Sequence, residues 1–306
     1  MKLDIAIRDG SPEARRMGFF TDTTVCIGCK ACEVACKQWN DLPADGSSFR
    51  SGGSYDHTGE LSASTWRHVR FVETLSPPEA PLPTPLAGVA REDGSGFDLP
   101  LIEIAAGEVS LDRWVFMSDV CKHCTDAGCL DACPTGALIK TEFETIIVQP
   151  DVCNGCGYCI PSCPFGVIDR DPYDGRAAKC TLCYDRLQDG MEPACAKSCP
   201  TDSIQFGPLD ELVPRAQARV RELHARGLDG AYLYGAGDAE QDAIAGGLGA
   251  FFLLTEPPER FGLPARASSP AREHGAVATA AGLAAAAAGL AGVVASVLWS
   301  HRRAAR

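Results

Sequence analysis

Cys153-Asn154-Gly155-Cys156-Gly157-Tyr158-Cys159-Ile160-Pro161-Ser162-Cys163-Pro164 is the stretch on which the reading of this chain turns. Its spacing, C-x2-C-x2-C-x3-C, is that of a run holding one [4Fe–4S] cubane with three thiolates and lending its fourth to a neighbour. Cys26-Cys29-Cys32-Cys36 repeats the spacing, while Cys121-Cys124-Cys129-Cys133 and Cys180-Cys183-Cys195-Cys199 are looser versions of it. The four groups use up all 16 cysteines. Soft thiolates at this density select iron–sulfur clusters, and four quartets imply four [4Fe–4S] clusters with iron bound through the same sixteen side chains.

The spacing follows from the shape of a cube. Three cysteines two residues apart in a tight loop reach three adjacent iron corners. The fourth is expected to start a helix and point away toward a second cluster. Pro134, Pro164 and Pro200 directly follow the last cysteine of their quartets, and proline suits the first turn of a helix. The echo extends into an internal repeat: Cys133-Pro134-Thr135-Gly136-Ala137-Leu138, Cys163-Pro164-Phe165-Gly166-Val167-Ile168 and Cys199-Pro200-Thr201-Asp202-Ser203-Ile204. The first quartet departs from it, with Lys37 in the proline position.

Two rival uses of cysteine are weaker. Disulfide frameworks staple short secreted chains, whereas 306 residues with 45% hydrophobic content can build a core of their own. Structural zinc is the stronger rival, because Cys180-x2-Cys183 followed by Cys195-x3-Cys199 resembles a zinc ribbon. Two quartets with a cysteine at every third residue do not suit tetrahedral zinc, which prefers separated pairs. A zinc-stabilised structural or interaction protein is the alternative from a different functional class.

The second and third quartets together look like a two-cluster ferredoxin. Exchange of the fourth ligand then groups Cys121, Cys124 and Cys129 with Cys163, and Cys153, Cys156 and Cys159 with Cys133. The outer quartets remain to pair across this insertion: Cys26, Cys29 and Cys32 with Cys199, and Cys180, Cys183 and Cys195 with Cys36. Pairing in sequence order would leave residues 37–120 between the halves of one ferredoxin. Nesting is preferred, since domain insertion at a loop is well tolerated.

The formal charge of −12 and the lack of a basic face argue against nucleic acid as a partner. Lys30, Lys37, Lys122, Lys179 and Lys197 all lie within two residues of a cysteine, and no arginine does. Ammonium groups there would stabilise an added electron; simple solubility of exposed loops is the competing account. His123 lies between two expected ligands and reads as an outer-shell or solvent-facing residue. No nucleotide loop, Ser/His/Asp set or carboxylate pair stands out, so no catalytic residue is assigned.

Residues 1–75 read as the first half of an outer cluster domain and 76–112 as a Pro/Gly-rich insertion without chemistry. Residues 113–175 form the inserted ferredoxin, and 176–264 the second half of the outer domain. That half carries a packing helix over Leu209–Arg226, stopped at Gly227, and a short apolar strand at Ala250–Thr255. A linker, 265–275, leads to residues 276–300, which contain no charge and are long enough at 1.5 Å per residue to cross a hydrocarbon core of about 30 Å. Eleven alanines make this span weakly apolar, and its four valines and three leucines supply only about 2–4 kcal/mol of insertion free energy. Gly282, Gly289 and Gly292 form a small-residue face that suits a partner helix. The basic tail 301–306, following Trp299, favours a C-terminus in the cytoplasm and the cluster domain on the outer face; the cytoplasmic orientation is the alternative, because Arg266 and Arg272 precede the span. No signal peptide is expected, since no apolar stretch follows Arg15-Arg16.

Asp22-Thr23-Thr24-Val25-Cys26-Ile27-Gly28-Cys29-Lys30-Ala31-Cys32-Glu33-Val34-Ala35-Cys36 and Trp39-Asn40-Asp41 closely resemble the opening of the iron–sulfur (beta) subunit of respiratory formate dehydrogenase. So do Trp114 to Cys133, Asn154 to Ile160, Lys179 to Arg186 and Glu192 to Cys195. The cysteine pattern alone is shared by the four-cluster subunits of molybdopterin oxidoreductases generally; the Cys26–Trp39 block and the single terminal span narrow the likeness. The resemblance implies an α+β chain: two nested bacterial-ferredoxin-like dicluster domains with long loops, plus one C-terminal transmembrane helix. It implies a non-catalytic electron-transfer subunit, with a molybdenum or tungsten pterin catalytic alpha subunit and a membrane cytochrome b gamma subunit as partners. The equivalent subunit of a dimethyl sulfoxide, polysulfide or thiosulfate reductase is the runner-up.

Overall fold

A computed structural model describes residues 15–44, 56–75, 111–237 and 244–304. Strand β1 (Met17–Asp22) is buried along its whole length, because both its faces are covered. It runs parallel to β10 (Ala250–Leu254) and antiparallel to β8 (Ile204–Pro208), and β9 (Tyr232–Tyr234) completes a four-stranded sheet in the order β8-β1-β10-β9. The two-residue period of a strand sorts its side chains between two cores. Phe19 packs edge-on to Phe206, at 5.8 Å between ring centroids, in the core that contains the cysteines. Phe20 stacks on Phe251 at 5.3 Å in the other core, which holds Leu212, Ala216 and Leu223 of helix α5 (Leu209–Ala225). One sheet thus separates a helix layer from a cysteine layer, and its strands come from both ends of the sequence.

The cysteine layer is framed by a hairpin that the sequence does not announce. Strands β2 (Arg67–Leu75) and β3 (Leu111–Val120) pair antiparallel from Arg67 opposite Val120 to Leu75 opposite Leu111, with an irregularity at Thr74 and Leu75. Leu111 and Asp112, read as part of the insertion, therefore open a strand; residues 76–110 lie outside the described residues. Helix α1 (Ala31–Trp39) leaves Lys30 in a left-handed conformation, φ 59, and turns Cys32, Glu33 and Cys36 inward. The Glu33 carboxylate accepts the backbone N–H of Val69, which fastens α1 to β2.

The prolines do not open helices. Helices α2 (Gly128–Asp131) and α4 (Ala194–Lys197) precede the fourth cysteines of their quartets, and a turn follows each proline. The backbone N–H groups of Gly136, Gly166 and Asp202 return to the carbonyls of Cys133, Cys163 and Cys199. Those three residues have φ of 70, 61 and 52, a left-handed turn that a right-handed helix cannot continue. The turns lead instead into β8 and the short strands β4 (Leu138–Lys140) and β6 (Asp169–Arg170), the last two paired with β5 (Ile146–Val148) and β7 (Ala177–Ala178). Lys37 lets α1 run on through Cys36 to Trp39. There the indole Nε1–H donates to Asp185 at 2.8 Å, under the guanidinium of Arg186 in helix α3 (Tyr184–Gln188), 4.2 Å from the ring.

Helix α6 spans Pro270–Ala304, so residues 270–275, expected as linker, are helical. Pro270 at the first helical position is preorganised for this, and the Ser269 carbonyl accepts from the N–H groups of Arg272 and Glu273. Arg272 clasps the helix base to the cysteine layer through Asp126 and through Asp131, the latter at 2.9 Å, while the Ser269 hydroxyl donates to Asp131 at 2.8 Å. Beyond that clasp Val277, Leu283, Leu290, Val293, Val294 and Val297 are exposed. Pro270–Val297 is long and apolar enough to cross a membrane.

Candidate metal centres

All sixteen cysteines are free thiols, and the fold gathers them from distant parts of the chain. Cys36, Cys180, Cys183 and Cys195 line one cavity, with Phe19, Trp66 and Arg67 among its other walls. Cys26, Cys29, Cys32 and Cys199 line a second, beside Lys30, Ser118 and Ser203. Both cavities are partly open to solvent. Among the described residues no group of three or more His, Cys, Asp or Glu is placed to hold a single metal ion. The thiols surround a space; they do not converge on a point.

The remaining eight thiols form two further neighbourhoods. Cys121, Cys129 and Cys163 stand near Cys124, whose thiol is pushed well up by burial and then by those neighbours. Cys133, Cys153 and Cys156 stand near Cys159, raised by burial with the same three adding. The four groups adjoin in series: Cys32 feels Cys195, Cys180 feels Cys121, and Cys129 feels Cys159.

Burial is the largest influence on Cys32, Cys36, Cys129, Cys180 and Cys183. It lifts Cys32 to about 12, against the opposing pull of Arg67 and Ser118, and Cys129 to about 12 against that of Lys179. Cys183 rises to about 11, and Cys36 and Cys180 are raised further still. A buried thiolate is therefore costly here unless a cation neutralises it, which is what iron coordination would do. Sulfur acceptors are also provided for. Leu182 N–H donates to Cys180 Sγ at 3.3 Å, Ala177 N–H to Cys153 Sγ at 3.4 Å and Asn40 Nδ2 to Cys36 Sγ at 3.6 Å. Cys133 is lowered despite its partial burial, because the backbone N–H groups of Leu138, Thr135 and Ala137 and the Thr135 hydroxyl turn toward its sulfur. The donor set fits a polynuclear cluster with negatively charged sulfur ligands.

The lysines divide. Lys122 and Lys179 are fully buried, so solubility does not explain them. Lys122 Nζ bonds to Asp119 and to the Val120 carbonyl at 2.8 Å, with the rings of Phe165 and Phe252 5.2 and 5.4 Å away. Lys179 Nζ donates to the carbonyls of Ile146 and Cys180, the latter at 2.9 Å. Lys197 is exposed. His123 is buried and not solvent-facing: its Nδ1 accepts the Ile146 N–H at 3.0 Å, which leaves the proton on Nε2. Burial first, then Lys179, Arg16 and Arg67, hold this imidazole well below its ordinary pKa, so it stays neutral. Sequence reasoning missed Arg67, whose NH2 donates to Cys195 Sγ at 3.2 Å, and Ser118, 3.2 Å from Cys32 Sγ. Arg67 is far from any cysteine in sequence, and Ser118 lies three residues before Cys121 but touches Cys32, so no local signal ties either to its sulfur partner.

Residues 25–137 and 112–209 each match a 4Fe-4S dicluster domain family. The chain is 33% identical over 195 residues to a subunit of the anaerobic dimethyl sulfoxide reductase of Escherichia coli, covering 64% of this chain and 75% of that subunit. It is 39% identical over 230 residues to the formate dehydrogenase-O iron-sulfur subunit of the same organism. The chain belongs to the 4Fe-4S dicluster family of iron–sulfur subunits. Within that family, the formate dehydrogenase iron-sulfur subunit of Haemophilus influenzae is 38% identical over 229 residues. Both formate dehydrogenase alignments take in 73% of this chain, and it spans 65% and 63% of the length of those two relatives.

Proposed function

We propose that this chain is a non-catalytic electron relay of four [4Fe–4S] clusters, the beta subunit of a membrane-bound formate dehydrogenase. The observation that carries the reading is the serial arrangement of four thiol groups, two of them around open cavities. In this reading Cys26, Cys29, Cys32 and Cys199 hold the first cluster, and Cys36, Cys180, Cys183 and Cys195 the second. Cys121, Cys124, Cys129 and Cys163 hold the third, and Cys133, Cys153, Cys156 and Cys159 the fourth. The sheet uniting β1 with β8, β9 and β10 supports the nested arrangement. Such clusters supply one-electron transfer without bond making. The chain's own residues fix the sulfurs, exclude water and place Arg67, Lys122 and Lys179 as buried countercharges.

Cys29 and Cys156 are the exposed cysteines, and they belong to the first and fourth groups, the two ends of the series. Electrons enter and leave there: from a catalytic subunit bearing a molybdenum or tungsten pterin, and toward a membrane cytochrome b and quinone. Helix α6 anchors the chain, with the cluster domain on the outer face. The chemistry of this chain touches no substrate, and the dimethyl sulfoxide reductase relative supports a second reading in which the same relay serves another pterin enzyme.

Anaerobically purified protein is expected to carry about sixteen irons per chain, four per cluster, with matching acid-labile sulfide. Reduction with dithionite should give low-temperature paramagnetic resonance signals. A colourless chain that binds zinc instead would overturn the relay. Ending the chain after Gly275 keeps the Arg272 clasp and removes the exposed apolar length of α6. Expressed without partner subunits, the truncated form should partition into the soluble fraction with its iron unchanged; retention in the membrane fraction would show that α6 is not the anchor.

A further inference from the structure

The side chain of Arg67 is 1% exposed, at the start of β2, and it connects two cavities. On one side it lines the cavity of Cys36, Cys180, Cys183 and Cys195, and its NH2 donates to Cys195 Sγ at 3.2 Å. On the other its NH1 donates to the carbonyl and hydroxyl of Ser118 at 3.2 and 3.3 Å. The Ser118 Oγ lies 3.2 Å from Cys32 Sγ, in the wall of the cavity of Cys26, Cys29, Cys32 and Cys199. Phe19 covers the guanidinium, with its ring centroid 4.7 Å from Cζ.

Among the described residues no carboxylate is a hydrogen-bond partner of Arg67; the partners there are two oxygens of Ser118 and one sulfur. Its Nε–H has no partner among the described residues. A buried cation is costly unless negative charge faces it. The negative charge at hand is that of the cysteine sulfurs once they are thiolates. Ser118 can then act in one sense only: its oxygen accepts from Arg67 and its proton goes to the Cys32 thiolate, which has no proton to give.

We propose that Arg67 is a positioning residue shared by the first two clusters, one fixed charge that raises both of their reduction potentials. It acts on the Cys195 site directly and on the Cys32 site through the Ser118 hydroxyl. The inference rests on the relay reading and adds to it a pairing: the two outer-domain sites are tuned together, and the other two are not. Arginine suits the task because its guanidinium never loses its proton and its fork serves two acceptors at once.

The test is a paramagnetic-resonance redox titration of the full chain with its partner subunits, alongside iron and sulfide analysis. Arg67→Gln is expected to keep about sixteen irons and to lower two of the four midpoints. The reduction equilibrium of each should weaken about tenfold or more, which is about 59 mV for one electron. Arg67→Lys, which keeps the charge, should restore most of the shift. Ser118→Ala should lower one of the same two midpoints and leave the other near its original value. Four unchanged midpoints in loaded Arg67→Gln, or shifts confined to the other two clusters, overturn the proposal. If Arg67→Gln does not load, Ser118→Ala decides: one lowered midpoint supports the proposal and none overturns it. A wild-type chain without iron would instead overturn the relay reading, and this pairing with it.

Discussion

Cys180→Ala is expected to remove about four of about sixteen irons and to interrupt electron transfer across the chain. Cys180 is buried in the wall of the cavity it shares with Cys36, Cys183 and Cys195, and its sulfur accepts the Leu182 N–H at 3.3 Å. Burial raises its thiol first, and the largest contribution among the cysteines comes from Cys121 of the third group. In the proposed relay it stands where the second and third sites adjoin, a junction that every electron crossing the series would pass. An alanine there leaves the second site with three sulfurs. Transfer from the catalytic partner to a quinone acceptor should fall about a hundredfold or more, each factor of ten being about 1.36 kcal/mol of barrier. Reduction of a dye that takes electrons directly from the catalytic partner should persist. A variant with undiminished iron and full transfer would remove Cys180 from the set of ligands.

Gly18→Ala is expected to be the most damaging glycine-to-alanine change among the described residues. Gly18 lies inside β1, between β8 and β10, and a Cβ there would stand 2.0 Å from the Gly249 carbonyl oxygen and 2.5 Å from Leu209 Cδ2. The Leu209 side chain can move, but the Gly249 carbonyl is backbone that bonds to the N–H of Phe19 at 2.8 Å. Relief requires separating β1 from β10 in the one sheet that joins both ends of the sequence. The cost should exceed about 3 kcal/mol, the upper part of the range for overpacking a filled core. Thermal denaturation of the truncated, soluble form measures it. A loss below about 1 kcal/mol would mean that the strands adjust freely.

Much of the candidate site was legible because ligand spacing is a local property. Cysteines two and three residues apart announce shared loops, and helix α5 announced itself by Leu212, Ala216 and Leu223 at helical spacing. What escaped is whatever depends on distant contact. Arg67 meets Cys195 across 128 positions, so a search for cations beside cysteines found lysines and passed over it. The β2–β3 hairpin was hidden for a related reason. Its strands bury Arg67, His68, Ser118 and Asp119, and these polar residues blur the apolar alternation that identifies a half-buried strand. The prolines misled because the same residue that can open a helix also ends one, and the left-handed Gly136, Gly166 and Asp202 decided which.

The crossing of cysteines between the two ends of the chain sets an order on biosynthesis. As the polypeptide leaves the ribosome, residues 121–163 emerge with both of their thiol groups complete, and those sites can close before translation ends. The cavity begun by Cys26, Cys29 and Cys32 must wait for Cys199, and the one begun by Cys36 must wait for Cys180, Cys183 and Cys195. Until then four early thiols are unshielded against oxidants and stray metals. On order of emergence alone, the inner thiol groups can be complete first, and the earliest-made cysteines are among the last to be enclosed.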